Sequence, residues 1–478
     1  MGHVPTPAAP ASTAATTAAS LGEPALGPLD GRYRASVAPL ADHLSEAALN
    51  RRRVHVEVEW LIYLGTHDVV PGVRRLTDAE IAHLRGLPLG FDAAAVAELA
   101  EIERETVHDV KAVEYWIKRR LEGTSLADVA ELVHLFCTSE DINNLSYALM
   151  VRDAVREVWS PAAHTVTDDL ARTAHELREL PMLARTHGQP ATPTTLGKEL
   201  AVLVHRLRRQ LARVDAAEHL GKFNGATGTY AAHAAAVPGT DWPAVSRAFV
   251  ESLGLTWNPL TTQIESHDWQ AELYADVARF GRVLHNLCTD VWTYISLGYF
   301  VQVRGQGTVG SSTMPHKVNP IRFENAEANL EVSQALFRVL EETLTTSRLQ
   351  RDLTDSSMQR NIGVAFGHSL LALENVRKGL AGLDANPQAL AADLDATWEV
   401  LGEAVQSVMR VHGLPNPYER LKDLTRGRRV DAQAMREFVA GLGLPEAEAE
   451  RLAALTPGTY TGVAAQLVDV LGTPPGEG

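Results

Sequence analysis

The chain has 478 residues, 45% of them hydrophobic and 22% charged. Those proportions are ordinary for a folded globular protein and exclude disorder of the whole chain. Lys and Arg total 44 against 59 Asp and Glu, a net charge of −15, which argues against a general nucleic-acid binder. A length of roughly 150 residues per domain suggests about three domains. No uncharged apolar run reaches about 18 residues, so no membrane span is expected.

Residues 1–22 are rich in Ala, Thr, Pro and Ser, with no Lys or Arg and no long apolar stretch. They fail as a signal peptide and are expected to form a disordered tail. Residues 23–127 predict a first domain of shorter helices broken by Pro and Gly. Within it, Val107-His108-Asp109-Val110-Lys111 permits two readings. A His–Asp–x–Lys set can bind an anion or tune the histidine, and it is equally a solvated helix start with Asp109 near the N-terminus.

Residues 128–380 predict a central domain of long helices. Its first polar segment, Cys137-Thr138-Ser139-Glu140-Asp141, has the pattern of a helix cap followed by an acidic first turn. A helix N-terminus carrying hydroxyls is also a carboxylate site. His134 and the pair His267-Asp268 have no metal-binding or catalytic neighbours in sequence and read as structural. The next segment, Arg185-Thr186-His187-Gly188-Gln189-Pro190, fixes a histidine on a rigid turn. It is either a backbone-capping residue or an acid–base group working near neutral pH. Leu196, Leu200, Leu203, Leu207, Leu211 and Val214 then form one apolar seam. Leu273, Val277, Phe280, Leu284, Leu287 and Val291 form a second. Spacings of four and three put each set on one face of a helix. Helices with such faces pack side by side and call for partners, so oligomerisation is expected.

Gly305-Gln306-Gly307-Thr308-Val309-Gly310 matches G-x-G-x-x-G in letters, and Tyr299–Val303 before it is strand-like. A dinucleotide site also needs a helix to start at that point. Pro315 and Pro320 follow instead, with no βαβ alternation around them. The stretch Gly310-Ser311-Ser312-Thr313-Met314-Pro315-His316-Lys317-Val318-Asn319 is a loop whose N–H groups, lysine and asparagine can gather on an anion. Ser311 there is a candidate base or nucleophile if donors stabilise its alkoxide, or else an ordinary turn serine. In Arg351-Asp352-Leu353-Thr354-Asp355-Ser356-Ser357-Met358-Gln359-Arg360, forked guanidinium donors beside a serine suit a phosphate, or are simply exposed helix charges. Residues 381–478 return to shorter helices and predict a third domain. Two cysteines, Cys137 and Cys288, make no disulfide framework and read as small buried hydrophobes in a reducing cytoplasm. There is no H-E-x-x-H, paired C-x-x-C or EF-hand spacing, so neither a metal nor a cofactor is expected.

These polar segments, taken together and in order, resemble a known family. GSSTMPHKVNP at 310–320 is similar to the signature of the fumarase/aspartase superfamily. ARTHGQPATPTTLGKE at 184–199, HDVKAVEYW at 108–116, CTSEDINNLSYAL at 137–149, LDGRY at 29–33, TTQIESHD at 261–268 and RDLTDSSMQRN at 351–361 resemble its adenylosuccinate lyase branch, of the long bacterial type. The resemblance runs from about Leu29 to about Asp469. It implies an all-α, three-domain fold with a long central helical bundle, and a cytoplasmic homotetramer whose active sites are shared among three subunits. It implies cleavage of adenylosuccinate to AMP and fumarate, and of the succinylated aminoimidazole-carboxamide ribotide (SAICAR) to AICAR and fumarate, in purine biosynthesis, with no nucleic-acid or membrane partner.

Carried over by position, the resemblance makes Ser311 the general base and His187 the general acid. Lys317 and Asn319 hold the succinyl carboxylates, and Thr138 and Ser139 contribute hydroxyls. Arg32, Tyr33, Arg351, Ser356 and Arg360 contact the nucleotide and its phosphate. His108, Asp109 and Gln263 lie beside the substrate. Two positions depart from the family pattern: Val107, where relatives often have Asn, and Ser266, where Pro is common. A related lyase acting on argininosuccinate or aspartate is disfavoured by Pro315-His316-Lys317 and by the 185–193 segment. A non-catalytic scaffold is disfavoured by intact Ser311, His187, Lys317 and Asn319.

Overall fold

A computed structural model describes residues 25–303, 318–426 and 430–473. Helices dominate. α1 (Arg34–Leu44), α2 (Glu46–Thr66), α3 (Asp78–Leu89), α4 (Ala93–Thr106) and α5 (Asp109–Leu121) come first. Their starts are written in the sequence: the Ser45 side chain accepts from the N–H of Ala48, and Thr77 and Glu80 cap α3 reciprocally, each satisfying N–H groups that the helix leaves unpaired. One face of α2 supplies Val54, Val58, Leu61 and Ile62 to a cluster with Leu84, Leu99, Trp116 and Ile117. The opposite face supplies Leu49, Val56, Trp60 and Leu64 to the main core.

The central part begins with α6 (Ser139–Ala154), which runs through a short π turn into α7 (Ser160–Glu176). Two nested two-residue pairings follow: β1 (Pro181–Met182) with β4 (Thr194–Thr195), and inside them β2 (Arg185–Thr186) with β3 (Gln189–Pro190). α8 (Leu196–Asp215) leaves this hairpin directly. It passes α7 so closely that a Cβ on Gly197 would lie 2.3 Å from the Ala174 carbonyl oxygen, so only glycine fits there. β5 (Leu220–Gly221) pairs in parallel with β6 (Thr256–Trp257), between which lie α9 (Ala231–Ala236) and α10 (Trp242–Ser252).

Next come α11 (Asp268–Ser296), β7 (Phe300–Gln302), α12 (Ile321–Leu344), α13 (Thr354–Gln359) and α14 (Ile362–Leu380). α7, α8, α11, α12 and α14 pack side by side as the bundle that the two seams require. Every seam residue named from the sequence is buried in it. Trp159, Tyr274, Phe280, Phe337 and Phe366 interlock at its centre, edge to face except for the stacked Tyr274–Phe337 pair. Full burial of one such side chain stabilises by about 1.5–3 kcal/mol, and Leu284→Ala would cost about 2–5 kcal/mol through the cavity left behind. The strand-like 299–303 stretch becomes β7, which pairs with β8 (Leu383–Ala385). α15 (Pro387–Asp395), α16 (Gly402–Val411), α17 (Pro417–Thr425), α18 (Ala432–Ala440), α19 (Glu446–Ala453) and α20 (Ala464–Leu467) complete the chain. Leu401, Val405, Met409, Met435, Val439 and Leu452 form a separate small core among them. No helix among the described residues is long and apolar enough to cross a membrane.

Candidate active site

The first turn of α6, the loop before α11 and the segment after α12 bring one set of polar residues together. The Arg351 guanidinium reaches three of them: Glu140 at 2.9 Å, the Ser356 hydroxyl at 3.0 Å and the Gln263 carbonyl at 3.5 Å. Gln263 is itself held through its amide N–H on the Ala226 carbonyl, 2.8 Å away. Glu140 follows Thr138 and Ser139 at the start of α6. Its carboxylate is almost fully buried and also accepts from the Asn143 amide at 2.8 Å. Burial raises its pKa, against the pull of Arg351 and the Asn143 hydrogen bond.

Asn143 links this set to a second. Its carbonyl accepts from Arg53 Nε at 2.9 Å, and Arg53 Nη2 bonds Asp109 at 2.6 Å. Arg360 reaches the same Asp109 oxygen at 3.1 Å and also bonds Glu46. Burial acts to raise the Asp109 pKa. Arg53, the Val110 N–H and Arg360 outweigh it, and the carboxyl sits below its ordinary range. His108 caps α5, its Nδ1 accepting from the Lys111 N–H at 3.2 Å. His108, Asp109, Thr138, Ser139, Gln263, Arg351, Ser356 and Arg360, proposed separately from scattered motifs, therefore share one end of the bundle.

Three guanidiniums (Arg53, Arg351, Arg360) there face three carboxylates (Glu46, Asp109, Glu140). The set neutralises itself and holds no surplus positive charge for an anion. Arg351 Nε, buried with no hydrogen-bond partner among the described residues, is the donor left to offer. The start of α6 is braced from below. Thr138 N–H bonds the Asp141 carboxylate at 2.8 Å, and the other Asp141 oxygen takes the Lys222 ammonium at 2.9 Å, with neither side chain exposed.

Sequence reasoning missed Arg53, Glu140, Asn143 and Lys222. Arg53 had a signal. In Arg51-Arg52-Arg53 it alone shares the helical phase of Leu49, Val56, Trp60 and Leu64, and an arginine on an apolar stripe needs a buried partner. Lys222 and Asp141 lie 81 positions apart, and no local pattern joins them.

His187 is elsewhere. It forms the turn between β2 and β3 with φ of 53°, followed by Gly188 at 75°. Positive φ at both positions is the geometry that closes a two-residue hairpin with the native strand twist. Glycine adopts it freely; histidine does so at a cost of about 1–2 kcal/mol. The side chain is exposed, with no hydrogen-bond partner among the described residues. The flanks of the hairpin are anchored: Arg185 bonds the Tyr299 hydroxyl and Asp393, each at 2.6 Å, and Thr192 bonds Glu403.

Tyr299 follows the C-terminus of α11, whereas Gln270 in its first turn reaches Gln359 of α13 at 3.4 Å. The 29 residues of α11 span about 43 Å, so the His187 turn and the Arg351 set stand at opposite ends of one helix. Asn319, exposed just before α12, lies at the His187 end, where the neighbouring Val318 carbonyl accepts from the Gln302 amide of β7 at 2.7 Å. Tyr33 accepts a hydrogen bond from Asn325 at 3.1 Å, and the Arg32 guanidinium lies 5.7 Å from the Tyr33 ring; neither joins the Arg351 set. Ser311, Lys317 and residues 1–22 lie outside the described residues.

Two departures from the family pattern differ in consequence. Val107 ends α4 in the left-handed conformation, φ 50°, and is 88% exposed. That conformation suits Asn and strains a β-branched side chain. Ser266 is exposed, and nothing in its surroundings explains the substitution.

A family model described as "Lyase" matches residues 31–339, and one described as "Adenylosuccinate lyase C-terminal" matches 347–461. The adenylosuccinate lyase of Haemophilus influenzae is 49% identical over 448 residues, covering 94% of this chain and 98% of the relative.

The chain belongs to the adenylosuccinate lyase family.

The adenylosuccinate lyase of Escherichia coli K12 matches equally, at 49% identity over 94% of this chain and 98% of the relative. Among solved structures, a fumarate lyase from Mesorhizobium sp. BNC1 superposes with a TM-score of 0.73 at 20% identity, over 91% of this chain and 97% of its own. The 3-carboxy-cis,cis-muconate lactonizing enzyme from Pseudomonas putida gives 0.69 at 21%, over 91% and 96%. The protein is a lyase with the all-α fumarase/aspartase-like fold, built around the long bundle expected from its seams.

Proposed function

We infer that the chain eliminates fumarate from adenylosuccinate, leaving AMP, and from SAICAR, leaving AICAR, in purine biosynthesis. The observation that carries this reading is the 49% identity over 94% of the chain to relatives bearing that name. Ser311 removes the Cβ proton of the succinyl group, and the electrons gather on the adjacent carboxylate. The C–N bond then breaks as His187 donates a proton to the leaving nitrogen. Lys317 and Asn319 supply the cation and donors where the carboxylate charge develops. Arg351, Ser356, Arg360, Gln263, Arg32 and Tyr33 hold the nucleotide, while His108, Asp109, Thr138 and Ser139 line it.

The acid and the nucleotide set of one chain stand some 40 Å apart by the length of α11, and the nucleotide set carries no spare positive charge. We therefore propose that each site is completed by other copies in a cytoplasmic homotetramer, which bring His187, Lys317 and Arg32 to a neighbour's Arg351 set. We propose domains at 23–127, 128–380 and 381–478; the separate cores around Trp116 and Met409 support the first and third, while Trp60, Leu390 and Val468 join the main core.

The test follows adenylosuccinate by ultraviolet absorbance and identifies AMP and fumarate by chromatography. Inactive His187→Ala and Arg351→Ala chains are then unfolded together and refolded as a mixture. Shared sites restore a fraction of wild-type activity, because some sites receive both intact halves. Release of both products by wild type with no recovery in the mixture would keep the reaction and remove the sharing.

A further inference from the structure

Glu57 sits in the middle of α2 with its side chain fully buried. Its Oε1 lies 2.6 Å from His134 Nδ1, although 77 positions separate the two residues. The Cys137 thiol completes the group: one ligand atom from each of Glu57, His134 and Cys137 falls within 4.8 Å of the others. The second carboxylate oxygen, Glu57 Oε2, is buried and has no hydrogen-bond partner among the described residues. An orphaned buried acceptor is costly, more so when charged. His134 and Phe136 both adopt left-handed backbone conformations, φ 63° and 66°. The intervening Leu135 carbonyl is pinned by the Trp60 indole N–H at 2.8 Å. His134 keeps 20% of its side chain exposed, which gives a path from solvent.

We propose that Glu57, His134 and Cys137 form a binding site for a borderline-soft divalent cation of the zinc class, with water as the fourth ligand. One imidazole, one thiolate and one carboxylate are a donor set for tetrahedral zinc, and three protein ligands leave the fourth position open. Adjacent N and O ligands at about 2.0–2.1 Å from such an ion stand about 3.3 Å apart, so the His134–Glu57 pair opens by less than an ångström. The ion takes the imidazole and the thiolate in their unprotonated forms, so binding displaces whatever protons His134 Nδ1 and Cys137 Sγ carry, and the dication offsets the negative charges of Glu57 and Cys137. Cys137 directly precedes Thr138 and Ser139, so an ion held there ties α2 to the start of α6. No metal motif contains the spacing 57, 134, 137, and only the fold brings the three together.

The probe is Co2+, added to the purified full-length protein. The expected result is a near-ultraviolet thiolate-to-cobalt charge-transfer band with four-coordinate visible bands, saturating at one ion per chain, reversed by Zn2+ and accompanied by proton release. Cys137 and Cys288 are the only cysteines in the sequence. Cys288→Ser should keep the band and Cys137→Ser lose it, while His134→Ala weakens binding by at least about tenfold. Absence of the band in the wild type, or its survival in a Cys137→Ser variant with native circular dichroism, overturns the site.

Discussion

The two ends of α11 are built on different plans. At its N-terminal end Arg351, Glu140, Asn143, Arg53, Asp109 and Arg360 bond one another in an unbroken chain. At its C-terminal end His187 stands exposed on a strained turn, with only the flanks of the hairpin tied down. The Arg351 end is pre-organised, so its polar groups also hold the fold. The His187 end spends conformational energy on a turn that leaves one side chain bare. Stability and activity should therefore move together at the first end and separately at the second.

The largest effect tests the first end. Lys222→Ala leaves the fully buried Asp141 carboxylate without its cation and should cost about 3–5 kcal/mol, read as a lower urea midpoint. An unchanged midpoint would mean that the start of α6 needs no such brace. Next, His187→Ala should lower kcat by about 10²–10⁴-fold with little change in KM or Tm; a large fall in Tm would make His187 a structural residue.

Two smaller substitutions sharpen the contrast, at one left-handed residue of each end. Val107→Asn and His187→Gly should each raise stability by about 1 kcal/mol, the latter judged against His187→Ala. The first should leave turnover unchanged and the second should abolish most of it. Equal effects on activity would erase the difference between the ends.

The smallest effects lie in the acid limb of a pH–stability curve. Asp109 has its folded pKa lowered, so its contribution is present above the ordinary value of about 3.9 and is lost as pH falls through the folded value. Glu140 has its pKa raised. Its contribution is largest in acid and shrinks as pH rises from about 4.3 through the raised value. Asp109→Asn should thus flatten the acid limb, and Glu140→Gln should steepen it. Urea midpoints measured from pH 3 to pH 7 decide both.

What could be read in advance follows from the range of each interaction. The seams at 196–214 and 273–291 obey the period of one helix, so the bundle was visible. Thr138 was visible as a cap because its partner Asp141 is three residues away. His187 was visible as a turn residue because glycine and proline surround it. Arg53 and Lys222 were not singled out, because their partners are 56 and 81 positions distant and surface and core arginines share one letter. His134 read as structural until folding placed it against Glu57. The eight described site residues that gather at one end were found by resemblance to a family, and periodicity gave no hint of their neighbourhood.

α11 also acts as a length standard. In the proposed tetramer its 29 residues fix the distance between two half-sites that register with those of neighbouring copies. Inserting a single residue in its interior would turn everything beyond by about 100° and swing the apolar seam out of the bundle. Inserting seven would restore the face but lengthen the rod by about 10 Å, and every half-site at one end would overshoot its counterpart. The helix can therefore change its residues one at a time, yet it can change its length only if every helix packed along it changes by the same step.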